Sequence, residues 1–230
     1  TFTITTVAGY PIVEVTDPSV SLILTPASAE TYYLGTQNMS VTALTINANA
    51  TLSTLHTSGS ATSRNLTTTG DVSVTGTLTG NASAISMGSL TIANGGTYSA
   101  TSATTTLTGT SVMLIETIAG ATYTDNDGTL TVTGTGTFRF RSGTGTPHNV
   151  IINSSGIIEW DRDLTIDNDL TVTAGTFECY DLNARYLTVT GNVSVTGILG
   201  GGSANTAAHT FGSLTITVEE LMKQQAELLL

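Results

Sequence analysis

The segment Leu66-Thr-Thr-Thr-Gly-Asp-Val-Ser-Val-Thr-Gly-Thr-Leu78 occurs a second time, with few changes, as Leu187-Thr-Val-Thr-Gly-Asn-Val-Ser-Val-Thr-Gly-Ile-Leu199. In both copies apolar residues alternate with hydroxyl residues, which is typical of a strand with one buried face. Thr and Val are β-branched and favour extended backbone, whereas the central Gly with Asp or Asn favours a turn. Each copy therefore predicts short strands joined by tight turns.

A nine-residue unit of this strand–turn–strand form recurs along the chain. Its copies begin at positions 44, 66, 90, 107, 130, 150, 170, 187 and 214, with a mean spacing of about 21 residues. A period of this length suits one coil of a parallel β-solenoid, in which successive coils stack about 4.8 Å apart. The sequence predicts an all-β, right-handed parallel β-solenoid of about nine coils. An antiparallel β-sandwich or jelly roll, which also needs many short strands with Gly-rich turns, is the alternative.

The apolar positions of these units predict the core of the solenoid. Because side chains alternate between the two faces of a strand, the apolar member of each pair should point inward and stack on its equivalent in the next coil. The residues expected to be buried are Leu44, Ile46, Leu52, Leu66, Leu90, Ile92, Leu130, Val132, Phe138, Val150, Ile152, Leu170, Val172, Leu187 and Val189.

The chain divides into three segments by its sequence pattern. Residues 1–40 contain three of the four prolines and predict a β-rich N-terminal cap or assembly segment. Residues 41–216 carry the solenoid repeats. Residues 217–230 predict a short amphipathic C-terminal α-helix, because Thr217 and Glu220 form a capping box at its start.

The predicted C-terminal helix carries an apolar stripe. An isolated helix of about 14 residues is marginal in water, so the stripe is expected to pack against the last coil or against a neighbouring subunit. The residues that we expect to serve assembly are Val218, Leu221, Met222 and Leu229.

Composition excludes several classes of protein. Charged residues make up 10% of the chain, and six Lys and Arg oppose 17 Asp and Glu, for a net charge of −11. Nucleic acids and anionic membrane surfaces need clustered cations, so neither is expected as a partner. No apolar run reaches the roughly 18 residues of a membrane span. Cys179 is the single cysteine, which excludes an intrachain disulfide and favours a small buried apolar side chain.

The phrases Leu187-Thr-Val-Thr-Gly-Asn-Val-Ser-Val-Thr-Gly197 and Phe211-Gly-Ser-Leu-Thr-Ile216 resemble the Thr/Gly-rich β-solenoid repeats of microbial surface proteins. Such repeats occur in adhesins, sheath and surface-layer proteins and some viral fibres. The resemblance covers residues 41 to 217 and identifies a style of repeat. It implies an extracellular location, at a cell or virion surface, and a structural role as a non-enzymatic subunit of a filament, sheath, surface layer or fibre that assembles with copies of itself.

Two other functions remain as alternatives. The first is a carbohydrate-binding adhesin or viral receptor-binding fibre, with glycans as partners of exposed aromatic residues at Tyr32, Tyr33, Trp160 or Tyr180. The second is a polysaccharide-cleaving enzyme, since carboxylates on one strand face can lie about 7 Å apart. Its candidate residues are Glu159, Asp161, Asp163, Asp167 and Asp169, although a solvated acidic face is the favoured explanation of this cluster.

Six Asn-X-Ser/Thr sequons fit an extracellular location, although several are expected in a chain with 49 Thr and 21 Ser. A source that glycosylates such sites would modify them. The candidate glycosylation sites are Asn38, Asn49, Asn65, Asn81, Asn153 and Asn192.

One turn offers metal ligands. Asp125-Asn126-Asp127-Gly128 resembles a fragment of a calcium loop, with Asp125 and Asp127 as oxygen ligands, but it lacks the complete loop spacing and the distal Glu. No other cofactor is expected. His56, His148 and His209 are scattered and show no metal-ligand spacing among themselves.

Overall fold

A computed structural model of the chain describes residues 1–4, 11–180, 185–201 and 207–217. These residues form an all-β, parallel β-solenoid of about nine coils, as the repeats predicted. The antiparallel sandwich is wrong, because every pairing between the named strands is parallel. Within the described residues there is no helix with the length and apolar character needed to cross a membrane.

Twenty-three strands make up the described part of the chain. In chain order they are β1 (Phe2–Ile4), β2 (Leu22–Leu24), β3 (Glu30–Tyr33), β4 (Met39–Val41), β5 (Leu44–Ile46), β6 (Ala50–Ser53), β7 (Leu66–Thr68), β8 (Asp71–Val74), β9 (Thr77–Thr79), β10 (Ile85–Met87), β11 (Ser89–Ile92), β12 (Thr97–Ser99), β13 (Thr104–Leu107), β14 (Met113–Thr117), β15 (Thr122–Thr124), β16 (Thr129–Val132), β17 (Gly136–Arg139), β18 (Asn149–Trp160), β19 (Leu164–Ile166), β20 (Leu170–Cys179), β21 (Leu187–Val195), β22 (Ile198–Gly200) and β23 (Thr210–Ile216).

The strands build three faces, which the chain visits in the order A, B, C in each coil. Face A runs from β4 through β7, β10, β13 and β16, and then through parts of β18, β20, β21 and β23. Face B begins at β1 and ends at β22. Face C contains β3, β6, β9, β12 and β15, and later β19 with the first parts of β21 and β23. The long strands β18, β20 and β21 each turn a corner between two faces.

Inward side chains stack in ladders that run the length of the solenoid. On face B one ladder joins Leu44, Val72, Leu90, Ile115 and Phe138, each paired with the next. All fifteen residues predicted to form the core are buried, which confirms the alternation argument. Cys179 is likewise buried in the core.

Aromatic rings stack on one another from Tyr98 in β12 to Phe211 in β23. Successive rings lie 4.8 to 6.3 Å apart between centroids, most of them edge to face, a geometry that aromatic pairs favour. The stack connects coils along the solenoid axis and contains Tyr98, Tyr123, Phe140, Phe138, Phe177, Trp160, His209 and Phe211.

Glycine is required at corners where the backbones of two coils approach closely. A Cβ at Gly134 would lie 1.8 Å from the carbonyl oxygen of Gly109 in the preceding coil, and one at Gly76 would lie 2.2 Å from that of Ala50. No side chain fits at these distances. The glycines of the repeat therefore allow the coils to stack at the spacing of a β-sheet.

The segment predicted as an N-terminal cap contributes strands to the same ladders. β2 pairs in register with β5, and β3 pairs with β6, so the solenoid extends into residues 1–40. The predicted C-terminal helix and its assembly residues Val218, Leu221, Met222 and Leu229 lie outside the described residues, which end at Thr217.

Candidate functional site

The Asp125–Gly128 turn follows β15 at the corner between faces C and A. Asn126 and Asp127 have φ values of 50° and 58°, and Gly128 N–H donates to the Asp125 carbonyl oxygen at 3.2 Å. Two consecutive positive φ values are typical of a type I′ turn, in which Asn is favoured. The Asn126 amide donates to Ser99 Oγ at 2.8 Å and to the Ala100 carbonyl oxygen at 2.6 Å, which fixes the turn against the preceding coil.

The next coil brings His148 to this turn. Thr129 pairs with Asn149, and Asn149 N–H donates to the Gly128 carbonyl oxygen, so His148 lies beside the turn. Its Nδ1 is 3.3 Å from Asp125 Oδ2 and 3.7 Å from Asp127 Oδ1. The side chains of Asp125 and His148 are about one quarter exposed, and that of Asp127 is 88% exposed.

The spacing of the three histidines in the sequence does not identify His148 as a metal ligand. A signal for it exists, however, because Asp127 and His148 are one mean repeat of about 21 residues apart. Residues separated by one coil stack on each other in a solenoid. Among the described residues, Asp125, Asp127 and His148 form the one group of three such side chains whose ligand atoms all lie within 4.8 Å of one another.

The four aspartates of the acidic segment at 159–169 bond to different partners. Asp161 is buried, and both Nε and Nη2 of Arg139 donate to its Oδ2. Arg139 Nη1 also donates to Glu116 at 3.0 Å. These hydrogen bonds, that to Asp161 first, raise the pKa of the Arg139 guanidinium above its ordinary value. The interpretation of this segment as a solvated acidic face is therefore wrong for Asp161, which belongs to an ion-pair ladder across three coils.

Three other carboxylates of the segment bond to neighbouring coils. Asp163 accepts from the Tyr186 backbone N–H, Asp167 from the Thr146 hydroxyl, and Asp169 from the Asn192 backbone N–H. Such contacts satisfy backbone donors at corners and hold adjacent coils together. Asp161 therefore pairs with arginine, and the other three carboxylates bond to separate groups at corners. A general acid and base would instead require two carboxylates that face a common substrate.

The six sequons differ in their surroundings. Asn81 is half-buried, and its amide donates to Ser53 Oγ and Thr54 Oγ1. The other five side chains are exposed. Asn38 and Asn65 use their carbonyl oxygens to accept backbone N–H groups of the next coil. Glycosylation of these residues stays a prediction.

The aromatic residues proposed for glycan binding separate into two groups. Tyr32 and Trp160 lie in the core with 0% and 1% exposure, so the expectation that they are surface residues is wrong. Tyr180 is 40% exposed. Tyr33 is half-buried and lines a surface cleft of about 330 Å³ together with Ile12, Thr57 and Ser58.

Both ends of the described solenoid leave inward positions uncovered. In the last coil Leu214 pairs with Val193 and Ile216 pairs with Val195. Val193 and Val195 are buried, whereas Leu214 and Ile216 are 48% and 59% exposed. In the first coil Phe2 pairs with buried Leu22 and is 54% exposed.

These features define the molecule as a parallel β-solenoid with a cluster of two aspartates and a histidine on one corner and apolar ladders that are exposed at its ends. Comparison with known proteins finds no matching family model, no similar curated protein and no similar solved structure.

Proposed function

We propose that this protein is an extracellular structural subunit that self-associates end to end, as in a filament, sheath, surface layer or fibre. The observation that carries the proposal is the exposure of Leu214 and Ile216 in the last coil. Both residues continue inward ladders of face A without a change of register. A further coil stacked on this end would bury them.

The first coil of a second copy offers suitable strands for that position. The first coil presents β1 on face B, then residues 11–13 on face C and Val15 on face A. The last coil presents β22 on face B, then the two parts of β23 on faces C and A. Because the faces follow in the same order, one copy placed on another would continue all three sheets in parallel.

Physical chemistry favours such a contact over an open end. Burial of apolar surface contributes roughly 25 cal/mol per Å², and each unpaired strand edge carries backbone N–H and C=O groups that another strand can satisfy. The hydroxyl-rich outer surface and the six Lys and Arg also fit a protein exposed to solvent and to proteases outside the cell.

The residues after Thr217 begin at the proposed junction. Thr217, at the end of the last coil on face A, donates its N–H to the Val195 carbonyl oxygen of the preceding coil. We therefore keep Val218, Leu221, Met222 and Leu229 as predicted assembly residues. Deletion of 218–230 should reduce self-association while the circular dichroism spectrum and Tm stay unchanged. Unfolding of the truncated monomer would instead assign the segment to covering its own last coil.

Electron microscopy and sedimentation of the full chain test the proposal. We expect the wild-type protein to form elongated assemblies with increasing concentration. Leu214→Glu should remain monomeric and folded, because a carboxylate in the ladder cannot be buried in the next coil. Val112→Glu is the matched control, since Val112 is 81% exposed on the side of the solenoid. A wild-type protein that stays monomeric, or a Leu214→Glu variant that assembles normally, would contradict end-to-end association.

A further inference from the structure

We propose that Asp125, Asp127 and His148 bind a borderline divalent metal ion, with Zn²⁺ the best fit, and that the ion joins two successive coils. The proposal rests on one imidazole nitrogen and two carboxylates whose ligand atoms all lie within 4.8 Å of one another. It does not depend on self-association, because the cluster lies on the side of the solenoid.

The separations match those between the ligands of a small tetrahedral ion. Zinc binds His nitrogen and carboxylate oxygen at about 2.0–2.2 Å, so neighbouring ligand atoms in a tetrahedral site are about 3.3–3.6 Å apart. His148 Nδ1 lies 3.3 Å from Asp125 Oδ2 and 3.7 Å from Asp127 Oδ1. Small rotations of the exposed Asp127 side chain suffice to place all three groups on one ion. Water can complete the coordination sphere.

The donor set distinguishes zinc from calcium. Calcium takes about 6–8 oxygen ligands in protein sites, whereas this cluster supplies two carboxylates and a nitrogen. Imidazole suits zinc and neighbouring transition metals and is a poor ligand for calcium or magnesium. With His148 included, the donor set therefore favours zinc over the calcium ion that the sequence predicts from Asp125 and Asp127 alone.

The backbone holds the ligands in place from both coils. Asn126, between the two carboxylates, is bound to Ser99 and Ala100 of the preceding coil. The His148 carbonyl oxygen accepts Asn168 N–H of the following coil at 2.8 Å. An ion bound across this corner would thus link turns whose backbones are already fixed. It would stabilise the folded chain by an amount that grows with the logarithm of the free metal concentration above the dissociation constant.

Isothermal titration of the full chain with ZnCl₂ tests the site. We expect one zinc ion per chain and at least tenfold weaker binding in Asp127→Asn and in His148→Gln. Asp127→Asn is the decisive variant, because this side chain is 88% exposed and its loss leaves the core intact. His56→Gln and Asp163→Asn are matched controls elsewhere on the solenoid and should bind zinc as the wild type does.

Two further measurements separate the alternatives. Cobalt(II), a spectroscopic substitute for zinc, should give the visible absorption of a low-coordinate site with nitrogen and oxygen ligands, and this absorption should disappear in His148→Gln. CaCl₂ should bind at least tenfold more weakly than ZnCl₂. Equal zinc affinity in His148→Gln, or tighter binding of calcium than of zinc, would overturn the proposal.

Discussion

The phenolic oxygen of Tyr98 lies 2.7 Å from the hydroxyl oxygen of Thr105, and both side chains are buried in the solenoid core. Thr105 occupies an inward position of face A between Ile85 and Leu130, where an apolar residue would be expected. Burial raises the pKa of Tyr98 above its ordinary value, so the phenol remains protonated at neutral pH. The polar residue in this ladder therefore has a definite role as the partner of a buried phenol.

Thr105→Val should destabilise the protein although it replaces a polar core residue with an apolar one of similar shape. The substitution leaves the Tyr98 hydroxyl buried without its partner, which costs about 1–3 kcal/mol. The double variant Tyr98→Phe, Thr105→Val should recover most of this loss, because both polar groups are then removed. Urea unfolding of the single and double variants measures the coupling.

Tyr32→Phe provides the matched control for the single and double variants of Tyr98 and Thr105. Tyr32 is also buried on face C, but its hydroxyl has no hydrogen-bond partner in the structure. Removing this hydroxyl should leave the free energy of unfolding unchanged or increase it. Equal effects of Tyr98→Phe and Tyr32→Phe would contradict the role assigned to the Tyr98–Thr105 bond.

Leu130→Ala should cost about 2–5 kcal/mol, the usual range for truncating a fully buried leucine. Leu130 is 1% exposed and stacks between Thr105 and Val150. The adjacent Thr131 points outward and is half-buried, so Thr131→Ala should change the free energy of unfolding by less than about 0.5 kcal/mol. Similar losses in the two variants would contradict the inward register of β16.

The architecture could be predicted from the sequence because alternation and turn residues are local signals. The face of the solenoid on which each repeat unit begins could not be predicted. The unit beginning at Leu66 runs from face A to face B, that beginning at Leu90 runs from face B to face C, and that beginning at Leu187 runs from face C to face A. The nine-residue unit thus describes one corner, wherever it occurs, rather than one coil.

This relation explains the uneven spacing of the repeats. Leu66–Leu78 and Leu187–Leu199 are nearly the same in sequence, yet their first strands lie on faces A and C respectively. A strand–turn–strand corner has the same physical requirements on any face: inward apolar residues, outward hydroxyls and a small residue at the bend. Sequence similarity therefore identifies corners, while the stacking of coils decides which face each strand joins.

The contacts between coils were less accessible to sequence reasoning than the core. Asp161 looks like one member of an acidic run, but its partner Arg139 lies 22 residues earlier. Likewise His148 reaches Asp125 and Asp127 only because one coil stacks on another. Pairings of this kind depend on the register between coils, which the unequal lengths of the turns leave undetermined in the sequence.

Arg139→Met should be strongly destabilising because it removes the main counter-ion of the buried Asp161 carboxylate and leaves only Arg162 Nη1, 3.6 Å from Oδ2. Asp161 Oδ1 already lacks a partner in the structure, and Oδ2 would lose both donors from Arg139. Breaking a buried ion pair costs about 3–5 kcal/mol, and the remaining exposure of Arg139 places the loss towards the lower end of that range.

The double variant Arg139→Met, Asp161→Leu tests the origin of that loss. It removes both charges, so it should be more stable than Arg139→Met alone when unfolding is followed in urea. Arg64→Met is the control, because Arg64 donates to a carbonyl oxygen and lies in another coil. A double variant less stable than the single one would show that the destabilisation comes from lost packing rather than from the loss of the Arg139 counter-ion.

His209 should make the stability of the last coils depend on pH. Its Nδ1 accepts the Leu187 backbone N–H at 3.1 Å, and its ring contacts Trp160 edge to face. Burial lowers the pKa of His209 from the ordinary value of 6.5. The folded protein therefore binds a proton less readily than the unfolded chain. The stabilising contribution is present in full above about pH 6.5 and is lost as the pH falls from there through the lower pKa of the folded state.

His209→Asn isolates this contribution, since Asn retains an acceptor near the position of Nδ1 but does not titrate. We expect the free energy of unfolding of the wild-type protein to fall more steeply than that of His209→Asn between pH 7.5 and pH 5, because a proton on Nδ1 abolishes the acceptor for Leu187 N–H. Carboxylates that titrate in the same range affect both proteins and cancel in the difference. Urea unfolding at half-unit steps of pH measures the two curves, and parallel curves would refute a titrating role for His209.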